Sequence, residues 1–171
     1  MIERSGLVTF HGNGLTLEGT SVEPGDAAPD FSVLTNDLQT KTLADYKGKV
    51  VLLVTVPSID TPVCDVEARR FNQEAADLHE DIEVLTVSTD LPFAQARWCG
   101  AAGINSVEVL SDHKDLSLGH AYGVAIKELR LLARAVFVID RNHKVTYTEI
   151  VPEVTNEPNY EAVIKAAEAA L

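Results

Sequence analysis

The chain has 171 residues and carries 26 acidic side chains against 14 Lys plus Arg, for a net charge of −12. That charge excludes nucleic acid and anionic membrane as partners, because phosphate binding needs clustered cation. Length and a 46% hydrophobic, 23% charged composition suit one globular domain over 1–171 with a real core, and no apolar stretch approaches the roughly 18 residues of a membrane span.

Met1-Ile2-Glu3-Arg4 opens no basic segment followed by an apolar one, so a cytoplasmic protein without a leader is expected. Leu7–Phe10 and Leu15–Glu18 read as short strands around His11-Gly12-Asn13-Gly14. Asn-Gly tolerates positive φ and predicts a hairpin turn at those two residues, so 7–18 is expected as an N-terminal β-hairpin extension. Glu23-Pro24-Gly25-Asp26-Ala27-Ala28-Pro29 is a turn-rich linker. Val50–Val56 is a continuous apolar, β-branched run, as in a strand buried on both faces. Residues 62–79 predict a helix whose inward stripe is Cys64, Ala68, Phe71, Ala75 and Leu78.

Ile82–Ser88 is a second strand. Asp90 reads as the N-cap of a helix with Pro92 in its first turn, running to about Ala102. Val107–Leu110 predicts a third strand and 116–122 a short helix. Ala135–Ile139 and 144–151 pair as a hairpin across Asp140-Arg141-Asn142-His143, and Asn159 caps a final helix over 160–171. The order βαβαβα then ββα predicts an α/β fold, a central mixed sheet flanked by helices.

Chemistry concentrates where the Val50–Val56 strand ends. Pro57 ends it and has no N–H. Thr61 lies three residues before Cys64 and is the N-cap if Pro62 begins the helix. Cys64 then sits in the first turn, where unpaired N–H groups and the helix dipole favour a thiolate, the nucleophilic form of sulfur. The residues alone equally allow a strand-to-helix turn holding an inert buried cysteine. Arg134, flanked by apolar residues at the start of the Ala135 strand, either reaches the Cys64 turn or sits at a strand end in solvent. Arg69, Arg70 and Arg130 are rival cations on exposed faces. Cys99, the second of two cysteines, lies near a glycine-weakened helix end (Gly100, Gly103), where a thiol could travel or simply pack. No Cys-x-x-Cys or His-Glu-x-x-His occurs, and the five histidines are scattered, so neither a metal nor a cofactor is expected.

Pro57-x-x-x-Thr61-x-x-Cys64 resembles the active-site signature of peroxiredoxins. Asp90-Leu91-Pro92-Phe93-Ala94-Gln95, Cys99-Gly100, Ala121-Tyr122-Gly123-Val124, Ala133-Arg134-Ala135-Val136 and the hairpin over 8–17 extend that resemblance to the thiol peroxidases, the atypical two-cysteine peroxiredoxins. Trp98 stands where Phe is expected and keeps the aromatic character. The resemblance implies a thioredoxin-like fold and a thiol-specific peroxidase acting on hydrogen peroxide and alkyl hydroperoxides in antioxidant defence. It implies that Cys64 is the peroxidatic cysteine, passing through a sulfenic acid, and that Cys99 resolves it as an intrachain disulfide. By the same match Pro57, Thr61 and Arg134 complete the peroxide site, no cofactor takes part, thioredoxin is the reductant, and the protein is a homodimer. The rivals are a thioredoxin-type disulfide exchanger, a redox sensor that passes oxidation to a partner, and an interaction module with inert thiols.

Overall fold

The computed structural model describes residues 1–171. Two sheets form. The smaller joins β1 (Glu3–Phe10), β2 (Asn13–Glu18), β8 (Ala125–Ile126) and β9 (Leu131–Leu132) in that order. The larger contains β3 (Ser32–Leu34), β4 (Thr40–Thr42), β5 (Val50–Thr55), β6 (Ile82–Ser88), β7 (Glu108–Ser111), β10 (Ala135–Ile139) and β11 (Val145–Ile150). Its order is β11-β10-β5-β6-β7-β3-β4, with β5, β6 and β7 parallel and the outer pairings antiparallel. The helices are α1 (Pro62–Ala75), α2 (Pro92–Ala102), α3 (Ser117–Ala121) and α4 (Tyr160–Ala169). This is the mixed α/β sheet with flanking helices that the element order predicts.

The central strand explains the layering. All six residues of β5 are buried, and alternate side chains serve opposite faces. Val51 and Leu53 enter one core with Leu85, Phe137 and Tyr122. Val8, Leu15 and Leu17 of the hairpin belong to that same core. Val50, Leu52 and Val54 enter the other, with Phe71 of α1 and Val163 and Ala167 of α4. Cys64 lies in this second core and is fully buried. The stripe expected of α1 is therefore real, fully buried at Cys64, Ala68 and Phe71 and partly so at Ala75 and Leu78.

Five details differ from expectation. The hairpin turns at His11-Gly12, both at positive φ (50° and 80°), while Asn13 and Gly14 lie in β2. Phe10 pairs with Asn13, so the loop has two residues in the left-handed geometry that such loops require. Helix α1 stops at Ala75, short of 79, and α4 stops at Ala169. Strand β7 runs one residue later than expected. Asp90 does not cap α2, whose N-cap is Leu91 without a side-chain bond. Its carboxylate is already taken by the Ser58 hydroxyl (2.7 Å), the Ile59 N–H (2.9 Å) and the Ser88 hydroxyl. Asn159 does cap α4, accepting from the Ala162 N–H at 3.1 Å.

Candidate active site

Strand β5 delivers the chain to Pro57, and Asp90 at the end of neighbouring β6 fixes the turn that follows through Ser58 and Ile59. Thr61 is the N-cap of α1, extended at φ −88° and ψ 149°, and its hydroxyl oxygen accepts the Cys64 N–H at 3.2 Å. The same hydroxyl lies 3.2 Å from the Ser58 carbonyl, to which it donates. Pro62 occupies the first helical position, where a missing N–H costs nothing. The sequence Pro-Ser-Ile-Asp-Thr-Pro-Val-Cys thus ends a strand, turns once and starts a helix with the thiol facing inward.

Arg134 meets that thiol. Its Nη2 donates to Cys64 Sγ at 3.2 Å, its Nε donates to the Val154 carbonyl at 2.9 Å, and its Nη1 donates to Glu67 Oε2. Arg134 and Glu67 side chains are 1% and 0% exposed, so this is a buried ion pair with a sulfur as third member. Arg69, Arg70 and Arg130 are all exposed, which leaves Arg134 as the cation at the sulfur. Burial pushes the Glu67 carboxyl up to about 7, against the pull of the Arg134 charge. Burial works against the Arg134 charge, and the anions around it outweigh that and push its pKa up. Glu67 Oε1 is buried and has no hydrogen-bond partner.

Beside the turn that carries the buried thiol lies a cleft of about 590 Å³. Pro57, Ser58, Thr61 and Arg134 line it on the Cys64 side, Phe10, Ile126 and Leu131 come from the smaller sheet, and Leu129 comes from the turn between β8 and β9. The hairpin thus contributes a wall of the site through Phe10. Thr61 and Arg134 both bond to Cys64, and Pro57 lines the cleft with them. Cys99 is not among them. It is half-buried on α2, and burial pushes its thiol up while the Asn36 side chain beside it pulls the other way. Both thiols are free.

Glu67, Ser58 and Asp90 escape a reading of the sequence as site residues. For Glu67 a signal exists. It lies three residues after Cys64 and one before Ala68, on the inward face of α1, where a carboxylate needs a partner.

This strand-to-helix cysteine, its N-cap threonine and the buried arginine all lie within the match to one family. The Redoxin family model matches residues 23–164, and the chain belongs to that family. Within it the chain is a member of the thiol peroxidase group. The thiol peroxidase of Bacillus subtilis (strain 168) is 63% identical over 162 residues, covering 95% of this chain and 96% of its own. That of Halalkalibacterium halodurans is 63% identical over 164 residues, covering 96% and 98%. Among solved structures, a peroxiredoxin-like protein from Aquifex aeolicus superposes with a TM-score of 0.91 at 42% identity, covering 98% of this chain and 99% of that one. A thiol peroxidase from Chromobacterium violaceum shares the fold at TM-score 0.84 and 20% identity.

Proposed function

We propose that this chain is a thiol peroxidase in which Cys64 is the peroxidatic and Cys99 the resolving cysteine. The observation that carries the reading is the Arg134 guanidinium against Cys64 Sγ, at a helix start capped by Thr61. The Cys64 thiolate attacks the terminal oxygen of a hydroperoxide. The O–O bond breaks, an S–O bond forms, and the leaving oxygen takes a proton to become water or an alcohol. Cys64 is left as a sulfenic acid. The protein's task is alignment and stabilisation of spreading negative charge. Arg134 Nη2 supplies the donor at the reacting sulfur, the Thr61 hydroxyl, which holds the Cys64 N–H, supplies a polar contact for the peroxide, and Pro57 walls the site without competing for the sulfur. The apolar wall of Phe10, Ile126, Leu129 and Leu131 favours organic hydroperoxides alongside hydrogen peroxide.

In the second step the Cys99 thiol attacks the Cys64 sulfenic acid. The S–S bond forms, the S–O bond breaks, and the hydroxyl leaves as water with the thiol proton. Cys64 faces Arg134, next to β10, while Cys99 faces Asn36, next to β3. The two thiols thus face different neighbours on different helices. A disulfide needs Cα atoms within roughly 7 Å, so both cysteine-bearing segments unwind locally in turnover. Thioredoxin reduces the disulfide, the working form is a cytoplasmic homodimer, and residues 1–171 act as one domain with the hairpin as part of its site. No helix is long and apolar enough to cross a membrane.

Peroxide consumption coupled to thioredoxin, thioredoxin reductase and NADPH tests this. Wild-type protein sustains many turnovers, and Cys64→Ser and Cys99→Ser both lose them. Rapid oxidation followed by slow turnover with thioredoxin would indicate a sensor, and retained activity in Cys64→Ser would refute the assignment.

A further inference from the structure

Cys64 and Cys99 have neighbours that touch each other. Asp65 follows Cys64, Trp98 precedes Cys99, and Trp98 Nε1 donates to Asp65 Oδ1 at 2.7 Å. This is the one side-chain hydrogen bond that joins α1 to α2. The second oxygen of Asp65 accepts from Arg69 Nε at 2.9 Å, one turn further along α1. Burial tends to raise the Asp65 carboxyl, and the bonds from Arg69 and Trp98 outweigh it and hold the group charged. The acceptor facing Trp98 is thus an oriented carboxylate.

Little else fastens the middle of α2. Only Pro92 and Gln95 of that helix are buried. Gln95 anchors the front, donating to Ser88 Oγ at 3.0 Å and the Leu110 carbonyl at 2.8 Å. Beyond the helix, Asn72 of α1 accepts from the Asn105 and Ser106 N–H groups. Between these anchors the last turns carry Cys99 and end at Gly103, at φ 68°.

Direction decides what the bond does. Successive residues in a helix point about 100° apart. In α1, Asp65 faces α2 while Cys64 faces Arg134. In α2, Trp98 faces α1 while Cys99 faces Asn36. For the sulfurs to meet, each must take the side its neighbour now holds. The two cysteines cannot turn toward each other while Asp65 and Trp98 stay bonded.

We propose that the Trp98–Asp65 hydrogen bond is a latch whose opening sets the rate of disulfide formation, making Trp98 and Asp65 positioning residues of the resolving step. The proposal rests on the two-cysteine cycle above. While the latch is closed, the Cys64 sulfenic acid stays beside Arg134 and a second hydroperoxide can oxidise it. In that reaction the sulfur gains an oxygen to become sulfinic acid, and the peroxide leaves as water or alcohol. The latch therefore also sets how readily the enzyme is overoxidised.

The test is rapid mixing of the full-length reduced protein with one equivalent of hydrogen peroxide, acid quench, thiol alkylation and mass spectrometry. Trp98→Phe keeps an aromatic ring and the Asp65 charge but removes the donor. It is expected to form the Cys64–Cys99 disulfide about three- to tenfold faster, the ordinary net effect of one hydrogen bond and below that of a fully buried bond to a charged acceptor, since both partners are partly exposed. Cys64 is expected to reach sulfenic acid at the wild-type rate, and excess peroxide to give correspondingly less sulfinic acid. Asp65→Ala speeds disulfide formation similarly, Asp65→Asn less, because its amide oxygen still accepts. The double variant Asp65→Ala/Trp98→Phe is no faster than Asp65→Ala. Disulfide formation in Trp98→Phe at or below the wild-type rate, or full multiplication in the double variant, overturns the latch alone. Absence of a Cys64–Cys99 disulfide from the wild-type protein overturns the resolving assignment and the latch with it.

Discussion

Replacing Arg134 with lysine is expected to slow peroxide consumption by about 10²-fold, the usual cost of losing one oriented donor at a reacting centre. The charge survives that substitution and the geometry does not. Arg134 uses three edges of one planar group, Nε on the Val154 carbonyl, Nη1 on Glu67 and Nη2 on Cys64 Sγ. An ammonium is a compact point charge on a flexible stem and cannot span that fork. Buried beside the Glu67 carboxylate, it pairs there and leaves the sulfur without its donor. The single-turnover rate of Cys64 oxidation, measured with hydrogen peroxide, isolates this step from reduction by thioredoxin. A lysine variant with the wild-type rate would show that charge alone suffices.

The second large effect falls on stability. Glu67→Ala leaves the Arg134 guanidinium buried with one partner gone, and breaking a buried pair from one side costs about 3–5 kcal/mol. Glu67→Gln keeps an oxygen for Arg134 Nη1 and costs far less. Urea unfolding of the two variants separates orientation from simple burial, and equal losses would contradict the assignment. The pH dependence follows from the same group. Burial pushes Glu67 up to about 7 from the ordinary 4.5, so the folded protein keeps a proton that the unfolded chain has released. Its contribution to stability is complete below about 4.5 and declines as pH rises to about 7. Glu67→Gln removes that decline, so the gap between wild type and Gln variant shifts in favour of Gln from pH 5 to pH 7.5.

The fold was legible in the sequence where burial and period agree. Val50–Thr55 is apolar at every position because both its faces are covered, and the α1 stripe through Cys64, Ala68 and Phe71 repeats at helical spacing. Strands β3, β4, β8 and β9 were not legible. They are two or three residues long, too short for a period; β3 and β8 form on the edges of longer β7 and β2, and β4 and β9 add outside them. The hairpin is right in kind and displaced in its turn, since His11 takes the left-handed conformation expected of Asn13. Asp90 misleads for a related reason. An aspartate before Pro92 reads as a cap, yet a tertiary demand from Ser58 and Ile59 claims its carboxylate first.

The site divides the same way. Pro57, Thr61 and Cys64 are close in sequence, and local helix-start geometry explains them. Arg134 comes from the far side of β5, and nothing in its own neighbourhood says which cysteine it meets. Strand pairing supplies that answer, because β10 lies directly against β5 with Ala135 opposite Thr55. Glu67 is the counterpart, a charge on an apolar face whose partner is named only when the sheet is assembled.

The central claim is that Cys64 takes the peroxide oxygen and Cys99 removes it. Intact-mass and peptide mass spectrometry of Cys99→Ser, after one equivalent of hydrogen peroxide and a sulfenic-acid-trapping nucleophile, tests it most directly. The account predicts one trapped adduct, on the peptide containing Cys64, and in wild-type protein a Cys64–Cys99 disulfide within one chain. An unoxidised Cys64 in Cys99→Ser, or a wild-type disulfide joining two chains, would contradict it.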